Sequence, residues 1–213
     1  MNILVLSPHT DDAEIGAGGT ILKLLDSNDI LWIVFSTCEE SLPEGMDKNT
    51  LKNEFRQMAD FLKPALYIDP IIYDYKVRKL DQHRQEVLEH LRKIGKDFKP
   101  DLVIGPSLND FHQDHLVVAN EMIRAFKTSA SIICYELPWN HVIFNTQMFV
   151  RFDKDILEKK IKLVSFYKSQ KEMRTLFFSP DFIKSLAVVR GSQANTKYAE
   201  AFEVIRWITN LPI

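Results

Sequence analysis

Two short clusters of side chains in this sequence could bind a metal and move protons. Residues 9–12 read His-Thr-Asp-Asp, and residues 112–115 read His-Gln-Asp-His. Imidazole and carboxylate groups are the usual ligands of a catalytic divalent metal. A carboxylate that is not needed as a ligand can act as a general base. Together, the two clusters predict a metal site with a base beside it.

Both clusters follow the same kind of element. Ile3–Leu6 and 102–105 are short runs dominated by branched apolar residues, a composition typical of strands buried on both faces. Helix signals come directly after each cluster. In open α/β sheets, ligands bind at the carboxyl ends of the strands. We therefore expect the two strand ends to open on one edge of a sheet and to bring the clusters together.

Taken singly, the features of the first cluster have simpler explanations. Asp11 and Asp12 could be an N-cap and a first-turn acid of the helix. Gly16, Gly18 and Gly19 are costly inside a helix. They could form a phosphate-binding turn, although their spacing fits neither nucleotide fingerprint. They could also let the helix pack closely against its neighbours, which is the interpretation we favour.

Strand and helix signals alternate along the chain. We predict strands at 2–7, 30–36, 65–68, 102–105, 132–137 and 147–152, and helices at 12–27, 51–62, 81–96, 116–126 and 156–167. Residues 70–80 look irregular, 180–189 are mixed, and 204–208 form a final apolar segment. This alternation predicts an α/β fold with a mainly parallel sheet and helices on both faces. We expect a single domain over residues 1–213.

Bulk properties narrow the class of protein and its partners. The 213 residues carry a net charge of −2, with 27 basic and 29 acidic side chains. This balance predicts neither a nucleic acid nor a membrane as partner. There is no apolar run near the roughly 20 residues of a membrane helix and no signal-peptide pattern, so we expect a cytoplasmic protein. Cys38 and Cys134 are too few for a disulfide framework or a Cys-rich zinc site.

Residues 9–14 and 112–115 together resemble the paired motifs of the PIG-L/LmbE family. Members of this family are zinc-dependent de-N-acetylases of N-acetylglucosamine conjugates. Three C-terminal stretches are also similar to the family pattern: 169–170, 190–191 and 198–202. The resemblance spans nearly the whole chain. It implies a Rossmann-like three-layer sandwich of the LmbE type.

The chain departs from the family pattern at three positions. Thr10 and Gln113 stand where proline is usual, and neither position supplies a ligand. Leu51 stands where an arginine that contacts substrate is common. Lys52 or Arg56 could replace that arginine.

The resemblance implies a ligand set of His9, Asp12 and His115, with one Zn²⁺ per chain. Another divalent transition metal is the alternative. Two imidazoles and one carboxylate suit a catalytic zinc site, in which open positions hold water.

The resemblance also implies three catalytic residues. Asp11 would be the general base for the attacking water. A protonated His112 would stabilise charge on the carbonyl oxygen, and Asp114 would hold His112 charged and oriented. The proton for the leaving amine would come from Asp11 or from His112. For Asp114, a first-turn acid that favours the helix dipole is the alternative.

Substrate contacts are less well indicated. Asp74 resembles a family loop residue that binds sugar hydroxyls, while Arg78 and Glu39 are further candidates. Solvated loop charges explain all three equally well. Trp139 and Tyr135 could stack on a sugar ring, but core packing is favoured for Tyr135. The expected partner is a small-molecule amino sugar conjugate, and a homo-oligomer stays open.

The predicted function is hydrolysis of the N-acetyl group from an N-acetylglucosamine-type conjugate, which releases acetate and a free amine. One alternative is a non-catalytic sugar- or nucleotide-binding α/β module. Another is an amide hydrolase of the same fold that acts on a thiol conjugate. Asp11 favours an enzyme, because a binding module needs no carboxylate beyond its ligand set.

Overall fold

A mainly parallel sheet covered by helices forms the body of the protein, as the alternating pattern predicts. The computed structural model describes residues 1–62 and 69–209. The strands are β1 (Asn2–His9), β2 (Asp29–Ser36), β3 (Ile71–Ile72), β4 (Leu102–Pro106), β5 (Ser131–Tyr135), β6 (Met148–Phe152) and β7 (Tyr198–Arg206). The helices are α1 (Asp12–Leu24), α2 (Thr50–Leu62), α3 (Arg84–Phe98), α4 (Gln113–Phe126), α5 (Lys154–Val164), α6 (Lys168–Met173) and α7 (Pro180–Gln193).

The strand order explains where the two clusters meet. The seven strands run β3-β2-β1-β4-β5-β7-β6, with β1 to β5 parallel and β7 antiparallel to both of its neighbours. The order reverses between β1 and β4, where Val5 lies opposite Ile104. A reversal of this kind opens a crevice at the carboxyl ends of the strands. The clusters at 9–12 and 112–115 follow these two strands.

Side chains of β1 alternate between two apolar layers, as expected for a strand buried on both faces. Ile3 and Val5 pack in the layer that includes residues of α1, α5 and α7. Leu4 and Leu6 pack in the opposite layer with residues of α3 and α4. The architecture is therefore a three-layer α/β sandwich.

The glycines of α1 allow close packing. A Cβ atom on Gly16 would lie 2.6 Å from the buried ring of Tyr135, and one on Gly19 would lie 2.9 Å from Phe152. Distances this short exclude a larger side chain unless its neighbours move. Close packing thus accounts for glycine at both positions.

Some element predictions need correction. The segment 180–189 forms the start of α7, where Ser179 caps the helix through Phe182 N–H and proline occupies the first turn. The interval 70–80 is not wholly irregular, because it contains β3. The helix predicted at 12–27 ends its α-helical part at Leu24 and continues as a 3₁₀ turn. The strand predicted at 65–68 lies outside the described residues.

None of the helices in the described ranges is long and apolar enough to cross a lipid bilayer.

Candidate metal centre

The first cluster is built on the turn between β1 and α1. His9 is the last residue of β1 and Asp12 is the first of α1, and Asp12 Oδ2 accepts the backbone N–H of His9 at 2.8 Å. Asp11 stands at the N-cap position, but its side chain makes no capping hydrogen bond. The carboxylate of Asp11 is therefore not used as a helix cap.

Three donor atoms form a small triangle at this turn. His9 Nδ1 lies 3.2 Å from Asp12 Oδ2 and 3.1 Å from His115 Nε2, and Asp12 Oδ2 lies 3.2 Å from His115 Nε2. Two ligands at about 2.0 Å from a tetrahedral metal are about 3.3 Å apart. The triangle thus has the size of one face of a metal coordination tetrahedron, and the residues present fit a divalent metal.

A buried carboxylate orients each of the two imidazoles. Asp114 Oδ2 lies 3.1 Å from Nε2 of His9, and Asp110 Oδ2 lies 2.6 Å from Nδ1 of His115. Carboxylates placed in this way take the proton of the outer ring nitrogen and leave the inner one free for a metal. Sequence reasoning missed Asp110. Its only signal is its place after a buried strand, where a turn residue is equally expected.

The predicted role of Asp114 needs correction. Its carboxylate does not contact the side chain of His112; besides His9, it accepts the backbone N–H groups of Arg78 and Leu80 at 2.6 and 3.3 Å. Asp114 does lie in the first turn of α4, as the alternative interpretation predicts, and it is fully buried there. The carboxylate thus ties the imidazole of His9 to the loop that carries Arg78.

His112 lies beside the triangle. Its ring centroid is 4.7 Å from those of His9 and His115, and nitrogen atoms of the three rings lie within 4.8 Å of one another. His112 Nδ1 accepts the backbone N–H of Asp114 at 3.2 Å, so the ring carries its proton on Nε2. Burial, followed by the charges of His9 and His115, lowers the pKa of His112 to about 4. This pKa favours a neutral His112, whereas the resemblance implies a protonated one.

The two imidazoles of the triangle have raised pKa values, and its carboxylate has a lowered one. Burial opposes charge on both imidazoles, yet nearby acidic groups raise the pKa of His9 well above its usual value and that of His115 to about 9. Burial also opposes ionisation of Asp12, but His115 and His9 hold its pKa well below the usual range. A metal bound here would displace imidazole protons.

Asp11 is partly exposed at the floor of a cleft. Burial and the neighbouring charge of Asp12 raise the pKa of Asp11 to about 6, although His9 and Arg174 act in the opposite direction. A carboxylate with a pKa near the working pH is suited to take a proton and return it.

A buried tyrosine supports the turn between β1 and α1. The hydroxyl of Tyr167 lies within hydrogen-bonding distance of the Thr10 carbonyl oxygen and of Glu14 Oε1. One hydroxyl can donate only one of these bonds. Burial raises the pKa of Glu14 well above its usual value, which favours the neutral acid, and a neutral Glu14 would leave the Tyr167 hydroxyl free to donate to Thr10 O. This chain holds the backbone between His9 and Asp11.

The candidate site opens into a cleft of about 430 Å³. Its walls include Gln170 and Arg174 from the segment at α6, Arg78 from the loop before α3, and Trp139. A larger cavity of about 670 Å³ lies near the amino ends of the strands, beside Asn2. Among the described residues, the only group of three or more potential metal ligands is in the smaller cleft.

Of the predicted substrate contacts, the structure brings only Arg78 to the cleft wall. Asp74 and Glu39 are exposed and lie outside the lining, so their contact with a sugar stays a prediction. Trp139 is stacked on Phe177 at a centroid distance of 4.4 Å, which covers one ring face. Tyr135 is buried and donates its hydroxyl to Leu6 O, as the core-packing interpretation predicts.

The structure also shows whether a neighbouring basic residue replaces the family arginine at position 51. Leu51 lines the cleft, whereas Lys52 and Arg56 line a separate cavity of about 460 Å³. Neither basic residue therefore replaces the arginine at this wall. Arg174, which sequence reasoning missed, does reach the cleft.

The fold and the site define an α/β protein with a candidate divalent-metal site at its topological switch point. The sequence profile of PIG-L, described as GlcNAc-PI de-N-acetylase, matches residues 4–126, which is more than half of the chain. The chain belongs to this family.

Individual proteins show the same likeness. The chain is 26% identical over 170 residues to the uncharacterized deacetylase YaiS of Escherichia coli K12, covering 78% of this chain and 90% of YaiS. It is similar to the structure of N,N'-diacetylchitobiose deacetylase from Pyrococcus horikoshii, with a TM-score of 0.79 and 19% identity. The match covers 96% of this chain and 83% of the deacetylase chain. It is also similar to GalB, the 4-carboxy-2-hydroxymuconate hydratase of Pseudomonas putida KT2440, with a TM-score of 0.74, 18% identity, and coverage of 99% of each chain. At these identities, the two structures establish the fold alone.

Proposed function

We propose that this protein is a metal-dependent de-N-acetylase that hydrolyses an N-acetylglucosamine-type conjugate to acetate and a free amine. The observation that carries the proposal is the triangle of His9 Nδ1, Asp12 Oδ2 and His115 Nε2 with the uncommitted carboxylate of Asp11 beside it. Three protein ligands leave a position open for water or substrate.

His9, Asp12 and His115 would hold the metal. A divalent ion bound there, Zn²⁺ or another transition metal, polarises a carbonyl and lowers the pKa of water. Asp11 lies on the same turn and takes the proton from the water that attacks the acetamide carbon. When the carbon–nitrogen bond breaks, Asp11 returns this proton to the leaving amine. Burial gives Asp11 a pKa of about 6, which suits both transfers.

His112 stabilises the charge that develops on the carbonyl oxygen. Because its Nδ1 accepts the Asp114 N–H, its Nε2–H is the donor available to the cleft. A neutral imidazole can donate this hydrogen bond without a carboxylate that keeps it protonated. Asp114 accordingly lies against His9 and not against His112. Asp110 and Asp114 keep the two metal-binding imidazoles oriented.

The fold by itself does not decide the reaction, since a hydratase and a deacetylase share it. The family match and the presence of Asp11 favour amide hydrolysis. A thiol conjugate of the amino sugar is a substrate within this proposal, and a binding module without activity is the rival outside it.

The test is acetate release from a panel of N-acetylglucosamine derivatives by the zinc-loaded protein, before and after chelation. Chelation should abolish turnover and zinc should restore it. Asp11→Ala should keep about one metal per chain and lose ~10²- to 10⁴-fold in rate. Asp97→Ala, which removes an exposed carboxylate of α3 beside the cavity at the amino ends of the strands, is the matched control.

His115→Ala should lose the metal itself, and His83→Ala, which removes a partly exposed imidazole, is its control. Metal binding without acetate release from any amide of the panel would support the binding module. Wild-type turnover in Asp11→Ala would show that the base is assigned to the wrong residue.

A further inference from the structure

Two arginines reach the cleft from different elements. Arg174 follows α6, and its backbone N–H donates to Gln170 O at 2.7 Å. Gln170 and Arg174 are four residues apart on this turn, and both line the cleft with Asp11 and Asp12. Arg78 reaches the same cleft from the loop before α3.

The α6 wall is firmly attached to the body of the protein. Buried Glu54 of α2 accepts the backbone N–H of Ser169 at 2.9 Å and its hydroxyl at 2.7 Å. Ser169 and Gln170 are buried beside these bonds. Arg174, which is exposed, therefore follows a short helix whose start is anchored in the body of the protein.

The backbone of Arg78 is held just as firmly. Arg78 has a φ of +63°, a left-handed conformation that is uncommon for a residue with a side chain. Its N–H donates to Asp114 Oδ2 at 2.6 Å, and its carbonyl accepts the Gln113 amide at 2.7 Å. Strained conformations of this kind persist where the surroundings over-determine them, and they cluster at functional sites. Residues around the candidate metal centre thus fix the backbone position from which the Arg78 side chain extends.

Neither guanidinium forms an ion pair within the described part of the chain, although the charge of Arg174 acts on nearby Asp11. Arg84, Arg124 and Arg190 each pair with a carboxylate at short distance. Within the described part of the chain, the side chains of Arg78 and Arg174 make no hydrogen bond or ion pair. Two guanidinium groups on the walls of one cleft attract an anion, and their planar forks match a carboxylate or a phosphate.

We propose that Arg78 and Arg174 bind an anionic group on the substrate, so that the preferred substrate is an N-acetylated amino sugar joined to a phosphate or carboxylate. This inference rests on the proposed function, because it places the acetamide at the metal centre and the anion on the arginines. The neutral part of the substrate lies between them, beside Trp139 and Gln170.

Binding and turnover test the proposal separately. Binding is measured by calorimetry on the zinc-loaded Asp11→Ala protein with N-acetylglucosamine 1-phosphate, a carboxymethyl glycoside and a neutral methyl glycoside of the same sugar. We expect one or both anionic compounds to bind at least ~10-fold more tightly than the methyl glycoside, because charge-assisted hydrogen bonds are stronger than neutral ones. The two anionic compounds distinguish phosphate from carboxylate.

Arg174→Gln and Arg78→Gln should each reduce the ratio of anionic to neutral affinity by ~10-fold or more, and lysine at either position should recover part of it. Lys171→Gln removes an exposed positive charge from the same helix outside the cleft lining and is the control. Equal affinity for anionic and neutral ligands, or a ratio that neither arginine variant changes, would overturn the inference. Absence of acetate release from every substrate would count against the proposed function alone, since the binding comparison does not need turnover.

Discussion

Asp110 Oδ2 and His115 Nδ1 are 2.6 Å apart, and both side chains are almost fully buried. Asp110 also accepts the backbone N–H of His112 at 2.7 Å. One carboxylate therefore sets the tautomer of a proposed metal ligand and the start of the helix that carries it. A hydrogen bond of this kind raises the basicity of the ligand and fixes its orientation.

Asp110→Ala is predicted to weaken metal binding by ~10- to 100-fold while the chain stays folded. The expected loss is measured by competition with a chromophoric chelator, with circular dichroism as the test of folding. Asp97→Ala removes an exposed carboxylate and should leave the metal affinity unchanged. If Asp110→Ala folds and binds metal as tightly as the parent protein, Asp110 does not orient the ligand.

Metal binding is predicted to release protons at neutral pH. Burial opposes charge on His115, but Asp12 and Asp110 raise its pKa to about 9, and the pKa of His9 is raised as well. Imidazole must be neutral to bind a metal, so protons bound below these pKa values have to leave. Affinity should therefore rise with pH up to about 9.

Calorimetry at pH 7 in buffers of different ionisation enthalpy gives the number of protons released. We expect about two, one from each imidazole. An affinity that levels off near pH 6.5, the ordinary pKa of histidine, would contradict the prediction.

Gly16→Ala is predicted to destabilise the protein. Its Cβ would lie 2.6 Å from the ring of Tyr135, which is fully buried and cannot move aside. Overpacking of this kind costs ~1–3 kcal/mol, which exceeds the gain of about 1 kcal/mol in helix propensity. At Gly18 of the same helix, the nearest atom is 3.3 Å away in the Lys160 side chain, so Gly18→Ala should cost much less. Urea denaturation of both variants measures the difference, and equal stability would refute the packing argument.

Tyr167→Phe is predicted to cost ~1–3 kcal/mol of unfolding free energy. The change removes the buried hydroxyl that bonds the Thr10 carbonyl oxygen and Glu14 Oε1. Tyr198 is also buried, but its hydroxyl makes no hydrogen bond to the described residues, so Tyr198→Phe should lie within ~0.5 kcal/mol of the parent. Chemical denaturation compares the two. A Tyr167→Phe protein as stable as the Tyr198 control would show that this chain of hydrogen bonds does not support the turn.

The sequence alone determined the fold class and the location of the candidate site. Runs such as Ile3–Leu6 have a composition that only a doubly buried strand accommodates, and the helices between them impose parallel strands. Parallel strands end on the same edge, so the two His/Asp clusters could be expected to meet. The paired motifs then pointed to the family that the comparison confirms.

Only the tertiary structure decided which side chains pair within that site. Spacing along the chain specifies only neighbours on one helix or strand, and the family resemblance implied that Asp114 serves nearby His112. The structure instead joins Asp114 to His9, 105 residues away, through the order and register of β1 and β4. Arg174 likewise reaches the cleft because Glu54 anchors α6 across 115 residues. Contacts of this range depend on how the layers pack, and no local pattern in the sequence encodes them.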